Sequence, residues 1–284
     1  MAADPYAVAL AVHRAVEQTV IAHRIEGWDP KPDDIAALNA LAGGDLHFGD
    51  YLAAQRRAYP PSPGRGRRRL LRRAVPYLIP GTTVLRNSFG LRDGRQLAAL
   101  EYAVTAGRMV RWHRNQLVLP HRDQLVLHPE QSATEAGVDV QVLHRELFGD
   151  VYTWAGEFRS VDIRRGESAF SWASDISSGI DEIQHGTKEL VNTGHRLDNP
   201  RLAWELARIY VRYNRIHPFR EGNGRTGMLF LHALTAKCGR RLDLSGVTRA
   251  DWYEAARDSM PSRREGAPSH RPFLWLLNKA VKSP

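Results

Sequence analysis

The stretch HPFREGNGRTGM, residues 217–228, constrains the fold more than any other part of the chain, because it lies between two segments of helical periodicity. Leu202, Leu206, Ile209, Tyr210 and Tyr213 recur at the three-and-four spacing of a buried helix face and run straight into His217. After Gly224, the residues Met228, Leu229, Leu231, Ala233 and Leu234 trace a second such face, which Gly239 ends. The loop between them has to be held by two core helices. Residues 87–113 and 138–148 each read as a turn followed by a helix, so the expected class is all-α. Strand signals are few. The clearest is FRSVDIRRGESAFSW, residues 158–172, in which Arg164, Arg165, Gly166, Glu167 and Ser168 are expected to form the tip of a β-hairpin.

The residue types in the loop point to phosphate chemistry. A Gly222-Asn223-Gly224 turn at a helix start lets the backbone approach a ligand and aims several N–H groups at one spot, with the positive end of the helix dipole behind them. Glu221 is a hard oxygen ligand of the kind magnesium accepts while it keeps its waters and shares substrate phosphates. Arg225 can pair with phosphate oxygens through its fork of donors. His217 has the side chain whose ordinary pKa suits it to take a proton from an incoming hydroxyl. Together these residues make a nucleotide site with a general base at its edge. Phe219 is expected to anchor the loop in the core.

Charge is unevenly spread. Six arginines crowd into GRGRRRLLRR, residues 64–73, behind the turn-rich YPPSPG, and they account for much of a net charge of +9. Residues 59–74 therefore read as a basic linker, a solvated tether; a nucleic-acid partner is not expected, though the arginines leave it open. Cys238 is the only cysteine, so no intramolecular disulfide is possible. No stretch approaches the roughly 18 apolar residues of a membrane span, and no secretory leader is evident, so the expectation is a cytoplasmic protein without a membrane partner.

The loop resembles the motif of the Fic domain proteins, H-x-F-x-[D/E]-G-N-G-R-x-x-R. His217, Phe219, Glu221, Gly222, Asn223, Gly224 and Arg225 match seven of its eight defined positions. LFGDVYTWAGEFRSVDI, residues 147–163, looks like the family segment that leads into the hairpin flap. IPGTTVLRNSFGLRD, residues 79–93, looks like its usual entry. The resemblance covers roughly residues 75–240. It implies a helical domain with a short hairpin that transfers AMP from ATP to a Ser, Thr or Tyr hydroxyl of a target protein. His217 is then the base, Glu221 the magnesium ligand, and Gly222, Asn223 and Gly224 the anion cradle. Arg225 neutralises the leaving pyrophosphate, and Arg164, Arg165, Gly166, Glu167 and Ser168 form the flap that docks the target. The final arginine of the motif is replaced by Met228; in the family that arginine binds the γ-phosphate or an inhibitory glutamate.

VIAHRIEGWDPKPDDIAALNALAGGDL, residues 20–46, resembles the small helical antitoxin that inhibits some Fic toxins through the pattern [S/T]-x-x-x-E-[G/N]. Glu26 and Gly27 match, while Ala22 stands in place of the Ser or Thr. The implied organisation is an antitoxin-like helical segment over residues 1–58, the linker over 59–74 and a Fic domain with C-terminal helices over 75–284, with Glu26 restraining the nucleotide site. Two other readings remain: a degenerate Fic domain that binds nucleotide or a partner protein without transfer, and transfer of a different nucleotide or phosphate-containing group.

Overall fold

A computed structural model describes residues 5–62, 75–118, 137–165, 168–263 and 266–283. Most of the expected linker and two residues of the expected hairpin tip, Gly166 and Glu167, lie outside the described residues. The chain divides into two units. The first comprises Met1–His23, Trp28–Pro120 and Arg145–Ala155; the second comprises Arg24–Gly27, His121–His144 and Gly156–Pro284.

Helices dominate the first unit. It contains α1 (Pro5–Ile25) as far as His23, then α2 (Pro32–Gly43), α3 (Phe48–Ala58) and α4 (Gly94–Val118). α2 starts where a proline costs nothing, in the first turn, and the Asp34 carboxylate accepts the Lys31 N–H at 2.8 Å. It stops at Gly44, whose φ of 92° is the left-handed conformation that glycine adopts without strain. Ala15, Val16, Val20, Trp28, Leu38, Leu41, Ala42, Tyr51, Ala106 and Val110 interlock as the core. The Tyr51 hydroxyl is kept satisfied there by donating to the Ala103 carbonyl at 2.8 Å.

α5 (Val140–Phe148) crosses from the second unit into the first. In the second unit follow the antiparallel pair β1 (Arg164–Arg165) and β2 (Ser168–Ala169), with Arg164 opposite Ala169 and Arg165 opposite Ser168. The hairpin expected at this point is therefore present. α6 (Ile176–Thr193), α7 (Asn199–Ile216) and α8 (Asn223–Lys237) come next, then β3 (Arg241–Leu242), α9 (Arg249–Asp258), α10 (Arg271–Ala280) and β4 (Val281–Lys282). β3 and β4 form a second antiparallel pair that the sequence did not announce. α7 is central, packing against α6, α8 and α10. The residues expected on its inner face, from Leu202 to Tyr213, are all buried, as are those of α8. The helical class and the small flap are those of the sequence reading. α8 begins at Asn223 rather than after Gly224, because Gly222, with φ 80°, makes the turn and leaves Asn223 and Gly224 inside the first turn of the helix. Among the described residues no helix is long and apolar enough to cross a membrane.

Candidate active site

α7 ends at His217 for a local reason. Pro218 follows, and the residue before a proline is pushed out of the right-handed helical region. His217 takes φ 50°, an uncommon left-handed conformation for a non-glycine residue. That conformation and the open carbonyls of the helix end are held by Arg159, which is 2 % exposed. Its Nε donates to the His217 carbonyl at 2.9 Å and its Nη2 to that of Ile216 at 3.1 Å. The same guanidinium reaches the carbonyls of Val161 at 2.8 Å and Ser171 at 2.6 Å, on the two sides of the hairpin. The Arg159 backbone N–H donates to the Pro218 carbonyl, and the Ser171 N–H to that of Arg215. One buried side chain thus satisfies a helix C-terminus and joins it to the roots of the flap.

The His217 ring lies parallel to Phe170, with centroids 3.8 Å apart and planes 13° off. Its Nδ1 faces the Asn214 carbonyl at 3.4 Å. A carbonyl only accepts, so this contact fits the tautomer that carries its proton on Nδ1. His217 lines a cavity of about 310 Å³ with Glu221, Gly222, Asn223, Gly224, Arg220, Arg164, Phe170, Ile163 and Glu26, all in the second unit.

The loop after His217 is braced from inside. Asn223 Oδ1 accepts the Phe219 N–H at 2.9 Å while its Nδ2 donates to the Phe219 carbonyl at 2.8 Å. The Asn223 side chain is therefore spent on the loop, and only its backbone is available to a ligand. Tyr213 donates to the Asn223 carbonyl at 2.9 Å; burial, helped by Tyr210 and Glu26, raises its phenol well above the ordinary value, so it stays a donor. His144 of α5 stacks on Phe219 with centroids 3.9 Å apart. It accepts the Gly156 N–H at Nδ1, at 2.7 Å, and so donates from Nε2 to the Glu221 carbonyl at 3.0 Å.

Glu221 is partly exposed, and its Oε1 accepts the Gly222 N–H at 3.0 Å and lies 3.8 Å from Arg225 Nη2. Arg225 is 4 % exposed. Among the described residues no group of three or more His, Cys, Asp or Glu is placed to enclose a metal. A single accessible carboxylate beside a helix N-terminus still suits magnesium, which takes most of its oxygens from water and from a phosphate ligand. Met228 is fully buried in α8 and does not face the cavity.

Glu26, at the end of α1, lies in the cradle itself. Its carboxylate is so close over the α-carbon of Gly224 that any Cβ there would collide with it. A negative group thus sits at the positive end of α8. Gly27 closes α1 with φ 104°, its N–H bonded to the Arg24 carbonyl at 3.0 Å. The tip of the Arg249 side chain packs where a Cβ on Gly27 would stand, and its guanidinium stacks over the Tyr253 ring at 4.8 Å.

The structure brings His217, Glu221, Gly222, Asn223, Gly224, Glu26 and Arg164 to one cavity and places Arg225 just behind it. Arg165 and Ser168 are in the hairpin, and Gly166 and Glu167 lie outside the described residues. Arg159, His144 and Phe170 went unnoticed in the sequence. Arg159 stands in GEFRSVDI, in the segment similar to the family's approach to its flap, and that was the one signal that could have drawn attention to it.

Residues 137–235 match the model of the Fic/DOC family. The chain is 30% identical, over 185 residues, to the probable protein adenylyltransferase Fic of Salmonella typhimurium, a match spanning 63% of this chain and 82% of that protein. Its fold is similar to the crystal structure of Bartonella tribocorum BepC with bound AMPPNP, with a TM-score of 0.57, 20% identity, and coverage of 73% of this chain and 97% of that one. A Fic domain containing signaling protein from Bacteroides thetaiotaomicron aligns over 98% of this chain and 87% of its own, with a TM-score of 0.58 and 12% identity.

Proposed function

The chain belongs to the Fic/DOC family, and from that premise we propose that it is a protein adenylyltransferase that moves AMP from ATP to a Ser, Thr or Tyr hydroxyl of a target protein. The observation that carries this reading is the shared cavity. His217 opens onto the same space as the backbone of Gly222, Asn223 and Gly224 at the start of α8. The cradle receives the α-phosphate. The target hydroxyl gives its proton to His217 Nε2 as its oxygen bonds to the α-phosphorus, and the bond from that phosphorus to the β-phosphate oxygen breaks to release pyrophosphate. Arg225, behind the cradle, offsets the charge that builds on the leaving group. Glu221 would hold magnesium, which when bound neutralises phosphate oxygens. The β1–β2 hairpin docks the target beside the base.

Glu26 restrains this chemistry. Its carboxylate occupies the place over Gly224 where a phosphate would lie, so nucleotide and glutamate compete for one positive helix end. Residues 1–58 are on this reading a built-in counterpart of the small antitoxins. A binding module without transfer is the second reading, and the absence of an arginine at Met228 is what favours it.

Incubation with α-labelled ATP, magnesium and a cell lysate separates the two. Labelled protein bands are expected, stronger for Glu26→Gly and absent for His217→Ala. Nucleotide binding by Glu26→Gly with no labelled band at any enzyme concentration would leave only the binding module.

A further inference from the structure

With a buried methionine at position 228, the phosphate chain lacks one of its family cations, and the geometry points to Arg220 as the residue that supplies it, by pairing with the terminal phosphate of a nucleoside triphosphate. This rests on the nucleotide reading above and adds a residue to it. The cavity is lined by two guanidinium side chains, Arg164 and Arg220, and two carboxylates, Glu26 and Glu221. Arg225 does not line it; that side chain is nearly inaccessible and lies 3.8 Å from Glu221. Arg225, behind the cradle, is left to the bond that breaks, and Met228 carries no charge to offer the terminal phosphate.

Arg220 is placed for that contact. It is half-buried and faces the cavity, and among the described residues it makes no ion pair or hydrogen bond. Such a guanidinium is a cation with its donors open to an incoming anion. The backbone that carries it is fixed on both sides. Phe219 is held at N–H and carbonyl by Asn223, and the Glu221 carbonyl is held by His144. The base of the Arg220 side chain therefore does not have to be ordered when the phosphate arrives, which is the condition under which a charged contact contributes most. Arg164, by contrast, is exposed on a strand of two residues and belongs to the side where the target docks.

The inference is tested by titrating ATP and AMP, in magnesium, into the full chain carrying Glu26→Gly, with and without Arg220→Gln. Arg220→Gln is expected to weaken ATP about tenfold or more, to leave AMP within twofold, and to leave the melting temperature unchanged, because the side chain it removes supports nothing in the fold. Arg220→Lys keeps the charge but not the fork and is expected to recover part of the ATP affinity. An ATP-to-AMP affinity ratio unmoved by Arg220→Gln overturns the assignment and leaves the nucleotide reading intact. Failure of both nucleotides to bind the Glu26→Gly protein overturns the nucleotide reading, and the assignment with it.

Discussion

Replacing Glu26 with glutamine should loosen the protein and tighten its grip on ATP in the same molecule. Glutamine keeps the length and shape of the side chain over Gly224 and removes its charge. In the folded protein that charge lies at the first turn of α8, partly buried, where a carboxylate contributes about 0.3 to 2 kcal/mol through the helix dipole. Its loss should lower the stability of the nucleotide-free protein by roughly 1 kcal/mol, a fall of about 2 to 4 °C in melting temperature for a chain of this size. The same interaction sets the balance between the covered and the open cradle. A latch worth about 1 to 2 kcal/mol keeps the open form near one part in five to thirty, and apparent ATP affinity is reduced by that factor. Glu26→Gln should therefore bind ATP about tenfold more tightly, with labelling of target protein raised in proportion at low ATP. Calorimetric titration and a thermal melt on the same preparation read the two effects. Opposite signs are the signature. If the variant melts lower and also binds ATP no better, the carboxylate is a structural cap and does not compete with phosphate.

Gly27→Ala tests the seat of the same latch with the carboxylate untouched: a Cβ there meets Arg249 and the φ of 104° becomes strained, so ATP affinity should rise several-fold in a binding titration. Arg159→Lys leaves carbonyls of the α7 end and the flap roots without a donor. It should cost about 2 to 4 kcal/mol in urea unfolding and reduce turnover while ATP affinity stays within twofold. Burial holds His232 down at about 4, so the unfolded chain takes up a proton below its ordinary 6.5 and the folded chain does so only below about 4. That contribution is full above pH 6.5 and is lost as pH falls toward 4, by roughly 3 kcal/mol; His232→Leu should flatten this limb in urea midpoints measured from pH 7 to 4.5.

The helices around the site could be read from the sequence because their cause is local. The spacing of Leu202, Leu206, Ile209, Tyr210 and Tyr213 is a property of twelve consecutive residues, and Pro218 and Gly222 each impose a backbone change on the spot. The motif residues could be read because their chemical types already restrict what they do together. Arg159 could not, since nothing about an arginine in a chain with 40 basic residues says that this one is buried. Its burial is decided by carbonyls at residues 216 and 217 that reach it only after the chain folds. His144 is hidden for the same reason, its partners lying at Gly156 and at Glu221. The β3–β4 pair joins two-residue strands some forty positions apart, too short to carry an alternation. Asn223 is an intermediate case: its place in the turn was legible, but its two hydrogen bonds with the Phe219 backbone turn its side chain inward.

The tie that Arg159 makes between the hairpin roots and the end of α7 acts as a ruler. On the proposed docking, the guanidinium and the two backbone hydrogen bonds beside it fix the distance from the hairpin's edge to the His217 ring, so a peptide laid along β1 or β2 would meet the base at a fixed point along its length. In an extended peptide, neighbouring side chains face opposite ways and each residue advances about 3.3 Å. A hydroxyl one place out of step points away from His217, and one two places out of step is displaced by about 7 Å, beyond any proton transfer. The enzyme would thus choose among the hydroxyls of its target by parity and position along the backbone, and only secondarily by whether the residue is serine, threonine or tyrosine.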